Sequence, residues 1–377
     1  ELEHVLFIRG ILDRVAALVF YLKKDRANAR AVMQARREFE DIRYSFAASR
    51  IENIMKSTDE MIPERTHFSI LMKYYLLGKK HFSQLNVHEV KSIETKSILS
   101  RLKSKDNYWG IAYNMNLYRG CQHGCIYCDT RSCCYGIGDI SHISVKKNAL
   151  ELLDHELGTK RGKATIGTGS MNDPYMPLEK QMKLTGGALE LIAKHRFPVH
   201  VITKSSLVTR DADLLQDIGR TYAAVSFTIT TADDEMARKL EPNAPTSSER
   251  FKAMKILSDR GIYTGVALMP VLPFINDSIE DIEEIVEKAA EAGASYVLPL
   301  FGVTLRRGSR DYFYDKVEQI FPKMAKRYKT YFEDRSECTS PNAPYLNEVF
   351  YRRIETLGIS ATMKFYHSEG RKQLSLF

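Results

Sequence analysis

The stretch Tyr118-Arg-Gly-Cys121-Gln-His-Gly-Cys125-Ile-Tyr-Cys128 decides how the rest of the chain is read. Three thiols set four and three residues apart on one short segment ask for a metal, because thiolates are strong ligands for soft cations. A [4Fe–4S] cube has four irons; three thiolates can hold three of them, and the fourth stays open. Structural zinc is the competing reading, but it takes four ligands, often as two separate C-x2-C pairs. Only one such pair lies here, Cys125 with Cys128, and Cys133, Cys134 or His123 would have to complete the tetrahedron. Six cysteines in 377 residues, with no secretory signal pattern, make no disulfide framework and point to a reducing cytoplasm.

Composition sets the frame around that motif. With 44% hydrophobic and 27% charged residues the chain is ordinary globular material, enough for one large domain or two. A net charge of +8 favours a polyanionic partner such as nucleic acid, although lysines and arginines are scattered along the sequence. Residues 1–86 read as helices with no Gly or Pro between Gly10 and Pro63, and Val5, Ile8, Leu12, Val15 and Val19 form an apolar stripe at helical spacing. Arg9, Asp13 and Arg14 interrupt residues 1–22, which argues for packing on protein over a membrane span, with contact at a bilayer surface as the lesser reading. From residue 87 the pattern changes. Strand-like runs at Lys163–Gly167, Pro198–Thr203, Ala223–Ile229, Tyr263–Met269 and Ser295–Leu300 alternate with helical patterns at about 143–157, 179–195, 246–260 and 278–292. A first strand near Trp109–Leu117 makes about six βα units, hence an α/β fold with a parallel sheet and helices outside it. The reading divides the chain into a helical segment 1–86, a core 87–310 and a helical extension 311–377.

The C-x3-C-x2-C spacing with Tyr127 before the last cysteine resembles the radical SAM superfamily. That resemblance implies a partial (β/α)6 barrel with the cluster on the loop after the first strand. It also implies a [4Fe–4S] cluster on Cys121, Cys125 and Cys128, and an open iron that binds S-adenosylmethionine and splits off a 5′-deoxyadenosyl radical with an electron from a separate donor. Active groups are then expected at the carboxyl ends of the strands. Ser170, Asn172 and Asp173 in the loop Gly167–Tyr175 are expected at the amino group of the bound methionine, against turn and helix-cap chemistry as the alternative. Lys204 is expected at its carboxylate, against a solvated lysine. Ser226 and Thr228 share one face of a strand by the two-residue period and suit a ribose edge. Glu241 and Arg250 read equally as cap or surface residues and as contacts to S-adenosylmethionine, and Met269 reads as core before adenine cradle.

Asn116-Leu-Tyr118-Arg119-Gly120-Cys121, the Asp-Pro-Tyr loop, Thr203-Lys204-Ser205 before Arg210-Asp211, and Leu240-Glu241-Pro242 together resemble the spore photoproduct lyase-like group over residues 90–310. The resemblance implies lyase chemistry on DNA, with Lys204 and Ser226 binding S-adenosylmethionine. One departure stands out. Where those lyases carry a hydrogen-donating cysteine before the loop's aspartate, this chain has Met171-Asn172-Asp173, which leaves Cys133, Cys134 or Cys338 as thiol candidates. The first 85 residues weakly resemble the helical tail of a family 2 glycosyltransferase. The final Gln373-Leu374-Ser375-Leu376-Phe377 resembles the bacterial sliding-clamp-binding pentapeptide, against an apolar tail docked on its own domain. A radical SAM enzyme for a peptide or small metabolite, and a non-catalytic iron–sulfur or zinc module recruited to the clamp, remain as alternatives.

Overall fold

A computed structural model describes residues 90–104 and 106–367. The helical reading of residues 1–86, its glycosyltransferase likeness and the pentapeptide Gln373–Phe377 lie outside the described residues.

The apolar runs become one seven-stranded sheet in the order β10-β9-β8-β7-β6-β3-β2. Here β2 is Leu99–Arg101, β3 Tyr113–Met115, β6 Ile166–Thr168, β7 Val199–Thr203, β8 Ala223–Thr228, β9 Tyr263–Leu268 and β10 Tyr296–Pro299. The six strands from β3 to β10 are mutually parallel, and only β2 runs antiparallel, against β3. A second sheet, β1 Lys91–Ile93, β5 Ser144–Lys146 and β4 Tyr118–Arg119, stands beside the entry to the cysteine loop. The parallel strands read as unbroken apolar runs because both faces are covered, and every residue of β8 is buried.

Helices α1 Ala149–Thr159, α2 Glu179–Met182, α3 Leu184–Lys194, α4 Ala212–Gly219, α5 Asp234–Leu240, α6 Ser247–Asp259 and α7 Ile279–Glu291 follow the strands. Their starts are written locally. Thr246 and Glu249 form a reciprocal capping box for α6, Ser278 caps α7, and Asp233 caps α5 through the amides of Glu235 and Met236. Apolar residues of these helices and of the outward strand faces, among them Leu189, Val201, Val225, Leu257, Val266 and Ile285, make one continuous core.

The chain then continues through β11 Gly302–Thr304, α8 Ser309–Ile320, α9 Met324–Phe332, β12 Glu337–Thr339 and α10 Ala343–Leu357. β11 and β12 pair antiparallel, Leu346, Phe350 and Ile354 of α10 enter the barrel's own core, and α8 and α9 build a separate apolar cluster that includes Cys125 and Tyr127. Inside the sheet, the period of two turns His200, Ser226, Gly265 and Tyr296 to one face, where Gly265 is required because a Cβ there would meet the Tyr296 ring at 2.4 Å. His200 Nε2 and the Tyr296 hydroxyl both hydrogen-bond the Ser226 hydroxyl, at 2.8 and 2.7 Å, and Trp109 leans on His200 with ring centroids 5.4 Å apart. Among the described residues no helix is long and apolar enough to cross a membrane.

Candidate active site

The cysteine loop leaves β4 through Gly120, whose φ of +87° and whose missing Cβ, 2.6 Å from the Ile140 carbonyl, leave no room for another residue. The Cys121 amide then donates to that carbonyl at 2.8 Å. On its far side the loop is clasped by the end of α5 and the residues after it. The Ile126 amide donates to Leu240 O (3.0 Å), the Asn243 amide to His123 O (3.1 Å), and Asn243 Nδ2 to Gln122 O (3.0 Å). Cys125 is buried, and Cys121 and Cys128 are half-buried. Burial pushes the Cys121 thiol up to about 11 and raises Cys125 further, with the Lys204 charge opposing the shift at Cys125. Such thiols give up their protons when a metal supplies compensating charge.

The donor set fits a cube. Among the described residues no three Cys, His, Asp or Glu side chains converge on the sphere of a single ion. A cube does not ask for that, since each of its thiolates binds a different iron. His123, a zinc candidate, is turned toward Asp173 (3.4 Å) and is held neutral by burial, while Cys133 and Cys134 are exposed on a short 3-10 turn.

Lys204 is the first residue beyond β7, with its ammonium 5.7 Å from the Tyr127 ring centroid. It makes no ion pair among the described residues. Burial works against its charge, but Cys125 and Glu241 outweigh that, and the net shift is upward, so it is held as a cation. A charged group in such a place calls for an anion, which makes Lys204 a fit for a carboxylate ligand.

The loop after β6 serves mainly to hold the site together. Asp173 Oδ1 accepts from the Thr203 hydroxyl (2.6 Å) and the Tyr175 amide (2.8 Å), and Oδ2 accepts from the Lys204 amide (2.6 Å). Asn172 Nδ2 donates to Tyr118 O at 2.7 Å. Both were expected on the methionine amino group; their polar atoms are instead largely engaged in tying β6, β7 and the cysteine loop to one another. Ser170 remains exposed, with one long contact of 3.5 Å to Asn116 Oδ1. Ser226 likewise spends its hydroxyl inside the barrel on His200 and Tyr296, one strand step below Thr228, whose side chain makes no hydrogen bond among the described residues. Met269 packs partly buried beside Tyr296 and Leu298, as core. Cys338 is buried with Tyr314 and Tyr328 in the cluster that α8 and α9 build behind the cysteine loop.

Glu241 and Arg250, open between a cap or surface role and a contact to S-adenosylmethionine, are both buried and form an ion pair. The Tyr127 hydroxyl donates to Glu241 Oε1, while Arg250 also donates to Pro245 O (2.8 Å) and Thr228 O (2.9 Å). The pair thus joins the cysteine loop to the carboxyl end of β8. A second buried knot lies below it: Glu179 accepts from the Tyr118 hydroxyl, from the amides of Leu184 and Thr185, and from Arg210, which also binds Asp211. The bonds that tie each knot to the cysteine segment, Tyr127 to Glu241 and Tyr118 to Glu179, have no local sequence signal, because they span 114 and 61 residues.

Comparisons with known proteins agree with this geometry. Residues 115–289 match the family model described as the radical SAM superfamily. A protein of Methanocaldococcus jannaschii with no assigned function is 31% identical over 217 residues, which are 57% of this chain and 78% of that one. A Mycobacterium tuberculosis protein, also without an assigned function, is 29% identical over 225 residues, 58% of this chain and 66% of its own length, just under two thirds. A radical SAM Nα-GlyT isomerase of Pseudomonas phage M6 is 28% identical over 181 residues, 48% of this chain and 37% of that one. Among solved structures, spore photoproduct lyase complexed with dinucleoside spore photoproduct superposes with a TM-score of 0.54 at 16% identity, covering 71% of this chain and 79% of that one. At that identity the likeness is one of fold. The chain belongs to the radical SAM superfamily, whose cofactors, a [4Fe–4S] cluster and S-adenosylmethionine, are its cofactors.

Proposed function

We infer that the chain is an enzyme that cleaves S-adenosylmethionine reductively at a cluster on Cys121, Cys125 and Cys128, and that it acts on a DNA or nucleobase lesion. The observation that carries the chemistry is the Lys204 ammonium, held charged beside a loop of three thiols with no ion-pair partner among the described residues. The cluster with S-adenosylmethionine would supply the 5′-deoxyadenosyl radical. The chain's own residues do the rest. Cys121, Cys125 and Cys128 bind iron as thiolates, and Lys204 orients the methionine carboxylate. Ser170, Thr228 and the strand below it, with Ser226, line the approach to the amino group and ribose, while Asn172 and Asp173 hold the loop that carries Ser170. Tyr127, anchored on Glu241, keeps the last turn of the cysteine loop fixed.

Support for a DNA substrate comes from the spore photoproduct lyase-like fold, from the net charge, and from the terminal Gln373–Phe377 as a sliding-clamp ligand. The phage relative's name adds isomerisation to the reactions a chain like this can run; a peptide or small metabolite as substrate is the second reading, and an iron–sulfur or zinc module without turnover is the third. Two measurements separate them. Anaerobic reconstitution should give about four iron and four sulfide per chain, lost when all three cysteines become Ala; stoichiometric zinc without acid-labile sulfide would reject the site. Damaged oligonucleotides and peptides, each deuterated, are then compared for deuterium transfer into deoxyadenosine under dithionite. Transfer from peptides alone removes the DNA reading.

A further inference from the structure

The lysines and arginines that look scattered in sequence gather on α9. Residues 323–331 hold four of them, Lys323, Lys326, Arg327 and Lys329, and no acidic residue. Arg327 and Tyr331 stand at i and i+4 on one face of the helix, Lys323 occupies the cap position at its amino end, and all three are exposed, Tyr331 at 46%. That face is built against the carboxyl-end loop after β9. The Arg327 guanidinium lies 3.9 Å over the Phe274 ring, Tyr331 meets the same ring edge-on at 5.3 Å, and the buried Tyr328 donates its hydroxyl to Pro273 O at 2.8 Å. Phe274 itself has a φ of +66°, a costly conformation for an aromatic residue, which turns its ring toward α9. The inner side of α9 belongs to the apolar cluster that also holds Cys125 and Tyr127. Three acids flank the exposed face: Glu318, which accepts the amides of Lys323 and Ala325, the exposed Glu333 just after the helix, and Asp334, which meets Arg310 at 3.5 Å.

Cations alternating with aromatic faces suit a strand that offers phosphates and unstacked bases together. We propose that the face formed by Lys323, Lys326, Arg327, Tyr331 and Phe274 binds single-stranded DNA. A solvated helix face would need no exposed tyrosine and no strained phenylalanine under its arginine. A protein partner would leave the excess positive charge without phosphate. The proposal rests on the DNA reading above and names the surface that reading lacks.

The test uses the cluster-loaded full chain, a fluorescein-labelled, undamaged single strand and anisotropy across a salt series. Replacing Lys323→Gln with Arg327→Gln should lower the slope of log affinity against log salt by about 1.4, since each cation contributes roughly 0.7 on a single strand. Because Arg327 also packs on Phe274, Lys323→Gln with Lys326→Gln, both exposed, serves as a second pair and should lose the same slope. Tyr331→Ala should weaken binding about tenfold with the slope unchanged, as expected when stacking is lost and charge is kept. Lys255→Gln on α6, remote from this loop and paired with Asp259, is the charge control and should lose neither. An unchanged slope in both pairs, or a Tyr331→Ala protein that binds as tightly as the parent, overturns the proposal. Lost strand binding with continued turnover of a lesion rejects this surface alone. Strand binding with no turnover of any lesion rejects the repair reading and leaves the surface standing.

Discussion

Replacing Arg250→Met tests whether the buried pair with Glu241 is what holds the cysteine loop to the barrel. Both side chains are fully enclosed, and methionine fills much of the arginine's volume without its charge. Removing one partner of a buried pair leaves the other as an uncompensated charge, at a cost of about 3–5 kcal/mol. Arg250 also gives up hydrogen bonds to Pro245 O and Thr228 O, each worth about 1 kcal/mol. Lys204 acts in the opposite sense, since its charge still favours the Glu241 carboxylate once Arg250 is gone. The lower end of the range, about 3 kcal/mol, is therefore the expected loss. Trp109 is the chain's single tryptophan and sits against His200 inside the barrel, so its emission reports the barrel's unfolding in urea. With a slope of about 3 kcal/mol per molar, the midpoint should fall by about 1 M. Glu241→Gln should lower the midpoint comparably, because it leaves Arg250 as the uncompensated charge even though glutamine can still accept from the Tyr127 hydroxyl. A midpoint within about 0.2 M of the parent for Arg250→Met would show that the pair contributes nothing net, and the clasp would reduce to the backbone hydrogen bonds of residues 240–243.

Lys204→Ala should weaken S-adenosylmethionine binding by about tenfold or more, the loss of a charge-assisted contact worth about 1.5–3 kcal/mol, with iron content unchanged; equal affinity in calorimetry would make Lys204 a bystander. His200, lowered to about 4 by burial, is neutral when folded and protonates near 6.5 when unfolded. The unfolded state binds the extra proton, so the stability His200 contributes is full above pH 6.5 and is lost as pH falls toward 4, by up to about 3 kcal/mol. Burial raises Asp281 to about 6, which works in the opposite direction over part of this range, so the readout is the difference between parent and His200→Gln midpoints at each pH; a constant difference from pH 7 to pH 4.5 contradicts the reading. A peptide ending Arg371-Lys-Gln373-Leu374-Ser375-Leu376-Phe377 should bind a bacterial sliding clamp with about micromolar affinity and lose most of it when Gln373 and Phe377 become Ala; no heat of binding from peptide or full chain would make the tail a packing element.

The sheet was legible because parallel strands covered on both faces must be apolar throughout, and five such runs stand at βα spacing. The cysteine loop was legible because its ligands are neighbours in sequence. What the pattern could not supply is depth and pairing. The two-residue period correctly puts Ser226 and Thr228 on one face, yet it does not say that Tyr296, 70 residues on, takes the Ser226 hydroxyl and leaves Thr228 nearer the rim. Asn172 and Asp173 were read as either turn residues or ligands. The Tyr175 amide on Asp173 Oδ1 is the turn, and Thr203 and Lys204, 30 and 31 residues away, take what the turn leaves over. Glu241 stayed open between a cap or surface role and a cofactor contact because nothing beside it in the sequence names its partner. Its partner Tyr127 lies 114 residues earlier, beyond the reach of any local signal.

The residue before Asn172 shows where likeness of fold stops carrying chemistry. Met171 holds the position that a hydrogen-donating cysteine takes in the photoproduct lyases this chain resembles, and the Thr130 hydroxyl fixes its carbonyl at 3.2 Å, so the backbone stands ready while the S–H is missing. A thioether has no such hydrogen to give. Cys338 is enclosed among Tyr314 and Tyr328, and Cys133 and Cys134 sit on an exposed turn, so none of the three replaces it from the loop after β6. If the substrate is a DNA lesion, the hydrogen that closes the reaction must come from 5′-deoxyadenosine or from a hydroxyl in the barrel. The two sources differ in isotope content. Turnover in heavy water with unlabelled substrate puts deuterium into the product only when an exchangeable hydroxyl is the donor. If the parent's product is unlabelled, Met171→Cys should introduce deuterium, since a thiol also exchanges with heavy water, without changing the yield of deoxyadenosine in the absence of substrate; a variant product that stays unlabelled would show that position 171 does not face the substrate radical at all.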